Sequence, residues 1–142
     1  GKGCWTGFEV GWAVEDKEVP LRVCHDVKRK ALTNVEFKLC DSMANMYVAL
    51  TCVLACGLDG IVKQASLRQS LTGLSADDKR ALAQVPKTFE EALDLLENDE
   101  FLTKKVLGTE LSRAYLAVRR ADAKRAESMS LEDEVAEARD KA

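Results

Sequence analysis

The stretch Asn34-Val35-Glu36-Phe37-Lys38 sets a carboxylate and an ammonium two residues apart. In an extended chain this spacing puts both on one face, about 6.6 Å apart at roughly 3.3 Å rise per residue. Such a pair suits a metal-phosphate site, because a hard cation takes carboxylate oxygen and a phosphate or substrate carboxylate takes a fixed cationic donor. The plainer reading is an ion pair on a solvated sheet face, which is common and contributes little. Arg22, between Leu21 and Val23, and Lys17 in the preceding turn add two cations that a sheet would bring towards Glu36. Each is equally readable as ordinary surface charge. His25 is the only histidine, so no metal cluster built on several histidines is available, and it reads as a strand-end residue. Cys52 and Cys56, four apart on one helical face, supply two ligands where a closed metal site takes about four, so helix packing is the better account. Gly7 and Gly11 stand isolated in a strand pattern and match no phosphate-cradling loop.

Strands must position these residues. Phe8, Val10, Trp12 and Val14 alternate with Glu9, Gly11, Ala13 and Glu15, and a second run from Pro20 to His25 puts Leu21 and Val23 on one face. In a third run Val35, Phe37 and Leu39 face one way, towards a core, and Asn34, Glu36, Lys38 and Cys40 the other. The turn between the second and third runs is basic: Lys28, Arg29, Lys30. From Ser42 the period becomes helical. An apolar core helix through Tyr47, Leu50, Val53, Leu54 and Leu58 is expected to weaken near Gly57 or Gly60. A short helix capped by Ser75 is expected to run to Gln84 and end before Pro86, and Thr88 with Glu91 forms a capping-box signature for a helix carrying Phe89, Ala92, Leu93 and Leu96. Gly108 breaks the next segment, and Thr109 opens a long helix with a charge-dense tail running to Ala142. No repeat and no Pro/Gly/Ser-rich linker divides the chain. The expected fold is α+β, antiparallel strands over about residues 3–41 followed by helices over about 42–142, as one unit.

The chain has 142 residues, 46% of them hydrophobic, enough for a genuine core. Its net charge of -3, with both signs interspersed, lacks the basic footprint of a nucleic-acid binder. Five cysteines, Cys4, Cys24, Cys40, Cys52 and Cys56, form no CxxC pair, and three lie in apolar runs. A reducing, cytoplasmic setting fits them. No apolar run approaches the roughly 18 residues that span a bilayer, and no secretory leader is visible. The chain opens at Gly1 without an initiator Met, which we read as missing upstream sequence.

Short strings then point to a family. Asn34-Val35-Glu36-Phe37-Lys38, followed by Asp41, Ala44, Asn45 and Tyr47, resembles the glutamine synthetase pattern in which an Arg-x-Glu-x-Arg strand leads into Asp-x-x-Ala-Asn-Pro-Tyr. Gly57-Leu58-Asp59-Gly60 matches the Gly-Leu-Asp-Gly stretch of that family, in the expected place. Upstream, Trp12 and the run from Lys17 to Arg22 are similar to its Asn-Arg followed five residues later by a strand Arg. Downstream, Val85-Pro86 leading into Thr88–Leu93, and Leu111–Ala121, resemble its Leu-Pro segment and final helix. The departures are Lys17 for the first Arg, Asn34 and Lys38 for the two strand arginines, and Met46 for Pro. Arg and Lys are not interchangeable where a planar fork grips an oxyanion.

The resemblance implies the C-terminal portion of a glutamine-synthetase-type catalytic domain. The parent protein would be a ligase of glutamine biosynthesis that phosphorylates the glutamate γ-carboxylate with ATP and displaces phosphate with ammonia or another amine. It makes Glu36 a ligand of Mg2+ or Mn2+, Arg22 and Lys17 ATP contacts, and Lys17 and Lys38 catalytic contacts to phosphate or glutamate. It also implies a homo-oligomeric ring. The remaining metal carboxylates, the metal-binding histidine and the ammonia site lie upstream of the matched segment in the family, so this chain alone is expected to be inactive. Two alternatives stand beside this: a non-catalytic homologue with a binding or scaffolding role, and an unrelated α+β interaction module.

Overall fold

The computed structural model describes residues 6–41 and 43–141, so the expected strand start at Gly3, and Cys4, lie outside the described residues. They form two compact units. The first comprises the described part of Gly1–Cys40 together with Ser66–Val85, and the second Asp41–Ala65 together with the described part of Pro86–Ala142. The element order is strands then helices, an α+β arrangement.

In the first unit, strands β1 (Trp12–Val14), β2 (Leu21–Asp26) and β3 (Ala31–Phe37) form one sheet in the order β1-β2-β3. The hairpin β2–β3 is antiparallel, as expected. Its turn is folded by Asp26, whose Oδ1 accepts from the Lys28 and Arg29 amides, with Lys30 at φ 51° closing it in the left-handed region. The register runs His25↔Leu32 and then Cys24↔Asn34, so Thr33 is an extra, bulged residue. Beyond the bulge, Arg22 stands opposite Glu36 and Val23 opposite Val35.

The expectation of purely antiparallel strands is corrected at β1, which pairs in parallel with β2 in the register Trp12↔Leu21 to Val14↔Val23. A parallel return usually needs a long crossover. Here β1 is three residues, about 7 Å of strand, and the six residues 15–20 suffice to return the chain to its beginning. Glu15 turns the backbone at φ 55°, and Asp16 Oδ1 accepts from the Glu18 amide to fold the link.

The first strand run is also shorter than its alternation suggested. Phe8 to Val10 instead pair with residues 83–85: the Val85 amide donates to Phe8 O, the Val10 amide to Ala83 O, and Glu9 bridges Gln84. The 66–85 segment thus supplies the core of this unit. Leu71 is buried with Ala13 and Val19, and Leu74 and Leu82 pack against them. A Cβ on Gly11 would fall 2.7 Å from Leu71 side-chain atoms, so this glycine makes room for the core. Val35 and Phe37, expected to face a core, are 56% and 45% exposed, so that expectation is corrected.

The second unit is helical: α1 (Met46–Val62), α3 (Phe89–Asn98), a π-helical turn (Phe101–Val106), α4 (Thr109–Ala126) and α5 (Leu131–Lys141). The short α2 (Ala76–Arg80), capped by Ser75, belongs to the first unit and stops well before Pro86. Asn45 Oδ1 caps α1 by accepting from the Tyr47 and Val48 amides. The helix runs through Gly57 and Gly60 without a break. It ends in a Schellman motif whose left-handed residue is Gln64 (φ 49°), with the Gln64 amide donating to Ile61 O and the Ala65 amide to Gly60 O. No residue of α1 is buried, contrary to the expected core helix.

Thr88 Oγ1 accepts from the Glu91 amide, and the Glu91 carboxylate reaches back to the Lys87 amide, one residue before the usual capping-box donor. Arg120 of α4 bridges Asp94 and Glu97 of α3, at 2.8 and 2.6 Å. The buried Ser112 hydroxyl donates to Thr103 O in the π-helical turn. The long final helix of the sequence reading is two helices, because the chain breaks after Ala126 and Ser130 Oγ accepts from the Asp133 amide at the start of α5.

Candidate functional site

Four charged side chains of alternating sign form a row across the sheet. Arg22 lies within β2 and Glu36 opposite it on β3, a juxtaposition fixed by the hairpin register beyond the Thr33 bulge. Arg22 Nη1 is 3.5 Å from Glu36 Oε2, and Lys38 Nζ, one residue past β3, is 3.8 Å from the same oxygen. On the other side Arg22 Nη2 is 3.0 Å from Glu15 Oε2. The structure therefore brings together three of the sequence-derived site residues, Arg22, Glu36 and Lys38. Lys17 joins through its backbone: its carbonyl accepts from Lys38 Nζ, while its ammonium makes no ion pair among the described residues.

Glu15 escaped the sequence reading, which placed it as one more outward residue of the first strand. Its role follows from two features without a sequence signal: the left-handed backbone that turns it out of β1, and the His25 amide that donates to its Oε1 at 2.6 Å. That amide first, and the Arg22 guanidinium second, hold the Glu15 carboxyl below the usual carboxylate range. The Glu15 hydrogen bond in turn pushes the Arg22 pKa up. Each Nη of Arg22 donates to a carboxylate, and Nε is buried with no acceptor among the described residues. Asn34, two residues before Glu36, accepts from the Thr33 hydroxyl.

Charge in the row sums to zero, two carboxylates against two cations. Lys38 offers a point charge to an anion, and Arg22 carries a second N–H on each Nη beside those given to the carboxylates. Glu36 has Oε2 between two cations and Oε1 unengaged among the described residues, so it presents one oxygen to a hard cation. Mg2+ takes about six oxygen ligands, and no group of three His, Cys, Asp or Glu residues stands together among the described residues. The residues present fit a divalent cation as one contributor to its shell, not as the whole of it.

Other candidates fall away. Cys52 and Cys56 have their thiols pushed up by burial, which keeps them protonated and poor nucleophiles. Open concavities of about 230 and 380 Å3 lie in the helical unit, lined by residues such as Met43, Phe89 and Met129, or Thr103, Ser112 and Leu116, and none of their lining residues belongs to the charged row.

The glutamine synthetase catalytic domain, as a family model, matches residues 1–137. A glutamine synthetase of Methanocaldococcus jannaschii is 34% identical over 119 residues, covering 80% of this chain and 26% of that protein. A gamma-glutamylpolyamine synthetase of Streptomyces coelicolor is 33% identical over 127 residues, 84% of this chain and 27% of its own. A glutamine synthetase of Archaeoglobus fulgidus is 32% identical over 123 residues, 80% and 25% respectively. This chain spans about a quarter of the length of these relatives.

Proposed function

Because the chain belongs to the glutamine synthetase catalytic-domain family, we propose that it forms the C-terminal part of the catalytic domain of an ATP-dependent glutamate-amine ligase. The observation that carries this reading is the convergence of Arg22, Glu36 and Lys38 in one contacting row, within a segment matched almost end to end. In the proposed reaction a γ-carboxylate oxygen of glutamate attacks the terminal phosphorus of ATP and ADP leaves. The amine then attacks the acyl carbon, and phosphate leaves as the amine nitrogen gives up a proton. Catalysis of this kind is mostly positioning and charge stabilisation, for which a row of fixed cations and carboxylates is suited.

Within that scheme Arg22 contacts ATP phosphate, Lys38 and Lys17 contact phosphate or the glutamate carboxylate, and Glu36 Oε1 contributes one ligand to Mg2+ or Mn2+. The cation, when bound, neutralises charge on the phosphates. The proposal extends to a cytoplasmic protein that assembles as a homo-oligomeric ring.

A larger amine in place of ammonia is the second reading. It is favoured by the 33% identity to a protein named a gamma-glutamylpolyamine synthetase. Lysines and an asparagine at positions where the family pattern has arginines favour a third, a non-catalytic homologue with a binding role.

The test is a longer protein carrying this segment, assayed for ADP release that depends on glutamate, an amine and a divalent cation. Glu36→Gln keeps shape but removes the charge a hard cation needs, and is expected to lower turnover by at least about tenfold with folding intact. Wild-type turnover in that variant would return Glu36 to a surface ion pair. The isolated 142-residue chain is expected to make no γ-glutamyl product, and product formed by it alone would overturn the account of an incomplete site.

A further inference from the structure

Beyond β1 the sheet continues through a side chain. The Glu15 amide donates to Val23 O at 3.0 Å, the next rung of the parallel β1–β2 ladder. A residue in such a ladder bonds to the residues on either side of the one it faces, so the Glu15 carbonyl would then accept from the His25 amide. Glu15 stands instead at φ 55°, and its Oε1 takes that amide at 2.6 Å. Glycine adopts this backbone without strain, but it has no carboxylate to offer. With Oε1 fixed by the backbone of β2, Oε2 is left to accept from Arg22 Nη2 at 3.0 Å. Two residues on, the Lys17 carbonyl accepts from Lys38 Nζ. The link between β1 and β2 thus supplies an acceptor to each of the cations that flank Glu36.

Arg22 keeps donors for a ligand. Of the five N–H groups of a guanidinium, one on each Nη goes to a carboxylate and the Nε group is buried, which leaves one on each Nη for an anion. We propose that Glu15 is a positioning residue for the nucleotide site: by fixing Nη2 from the backbone of β2, it holds the guanidinium beside Glu36 with those two donors available to phosphate. A long side chain that is already ordered loses less freedom when it takes its ligand, an advantage of about two- to tenfold in affinity. Without Glu15, the carboxylate left in contact with Arg22 among the described residues is that of Glu36, at 3.5 Å, and the guanidinium can turn its planar fork onto both Glu36 oxygens. Such a grip would take from the cation the Oε1 that Glu36 offers it. The inference rests on the reading of Arg22 as an ATP contact and of Glu36 as a cation ligand.

The test measures how much Arg22 contributes with and without Glu15, in a longer protein carrying this segment. Calorimetric titration in excess Mg2+ gives the Kd for an ATP analogue with an uncleavable β,γ-imido link, and needs no turnover. Arg22→Gln is expected to weaken binding by at least about tenfold in the wild-type background. In a Glu15→Gln or Glu15→Gly background that penalty should be smaller by at least about threefold, because an unheld guanidinium contributes less. Comparing the two penalties cancels the attraction gained simply by deleting a negative charge, which acts with and without Arg22 alike. Glu15→Gly is the second variant because it keeps the left-handed turn without strain. Circular dichroism reports folding, and a partly unfolded sample lowers the binding stoichiometry while leaving the Kd of its folded fraction unchanged.

An equal penalty in both backgrounds makes Glu15 a bystander and overturns the proposal. A larger penalty in the Glu15 variants makes it a competitor of the phosphate and overturns the proposal too. Failure of both Glu15 variants to fold assigns the residue to the fold alone, with the same consequence. In each of these cases the reading of Arg22 stands, provided that Arg22→Gln weakens binding in the wild-type background. If Arg22→Gln has no effect there, or the analogue does not bind, that reading has failed and the positioning role goes with it.

Discussion

At the scale of the residue, Glu15 ties stability to pH. Its carboxyl lies below the ordinary value of 4.5, through the His25 amide and then the Arg22 guanidinium. A depressed folded pKa means that the unfolded chain takes up a proton first as the solution is acidified. The contribution of Glu15 is therefore fully present above the unfolded value and disappears as pH falls through the folded one. Thermal unfolding from pH 7 to pH 3 is expected to show wild type above Glu15→Gln at neutral pH, with the two converging in acid. A constant gap across that range would detach Glu15 from the titration. Much of the site was legible in the sequence, because Glu36 and Lys38 share a strand period and Arg22 belongs to a neighbouring run. Glu15 was not, since its position depends on a left-handed turn and on an amide donated by His25, neither of which alternation encodes.

Among the elements, helix starts were easier to read than helix ends. Asn45, Ser75 and Thr88 each accept amide hydrogen bonds at the starts of α1, α2 and α3, as short polar side chains before helical runs do. The end of α1 was misread because glycine usually stops a helix, yet Gly57 and Gly60 lie inside it and Gln64 takes the left-handed position of the Schellman motif. That observation makes a prediction. A side chain in the left-handed region costs roughly 1–2 kcal/mol, and glycine returns about half of the gain through the entropy of the unfolded chain. Gln64→Gly should therefore stabilise the helical unit by about 0.5–1 kcal/mol, a rise of about 2–4 °C or less in melting temperature. A lower melting temperature would mean that the Gln64 side chain supplies more than its backbone strain removes. The parallel pairing of β1 and the docking of the 66–85 segment on Phe8 to Trp12 were illegible for a different reason. Both are long-range pairings, and local periodicity carries no information about partners far along the chain.

For the whole molecule the apolar surface decides behaviour. From Met46 to Leu58 helix α1 is apolar on nearly every side, and a helix of that composition belongs inside a core. Yet Leu50, Leu54 and Leu58, stacked four residues apart on one stripe, are 55%, 58% and 62% exposed. In the first unit Val35 and Phe37 leave a second apolar face open on the sheet. Fully burying a leucine side chain stabilises by about 1.5–3 kcal/mol, so covering the exposed half of three such residues offers about 2–4 kcal/mol before other contacts are counted. That is sufficient to drive association of a surface with no competing cover. The isolated 142-residue chain should accordingly self-associate at micromolar concentration, seen as a rising mean mass in light scattering. Leu54→Lys with Leu58→Lys is expected to weaken that association by at least about tenfold while leaving helix content unchanged, because both residues are more than half exposed. A monodisperse monomer of the wild-type chain would show that exposure on α1 is tolerated, and association undiminished in the double variant would move the sticky surface to the sheet face of Val35 and Phe37.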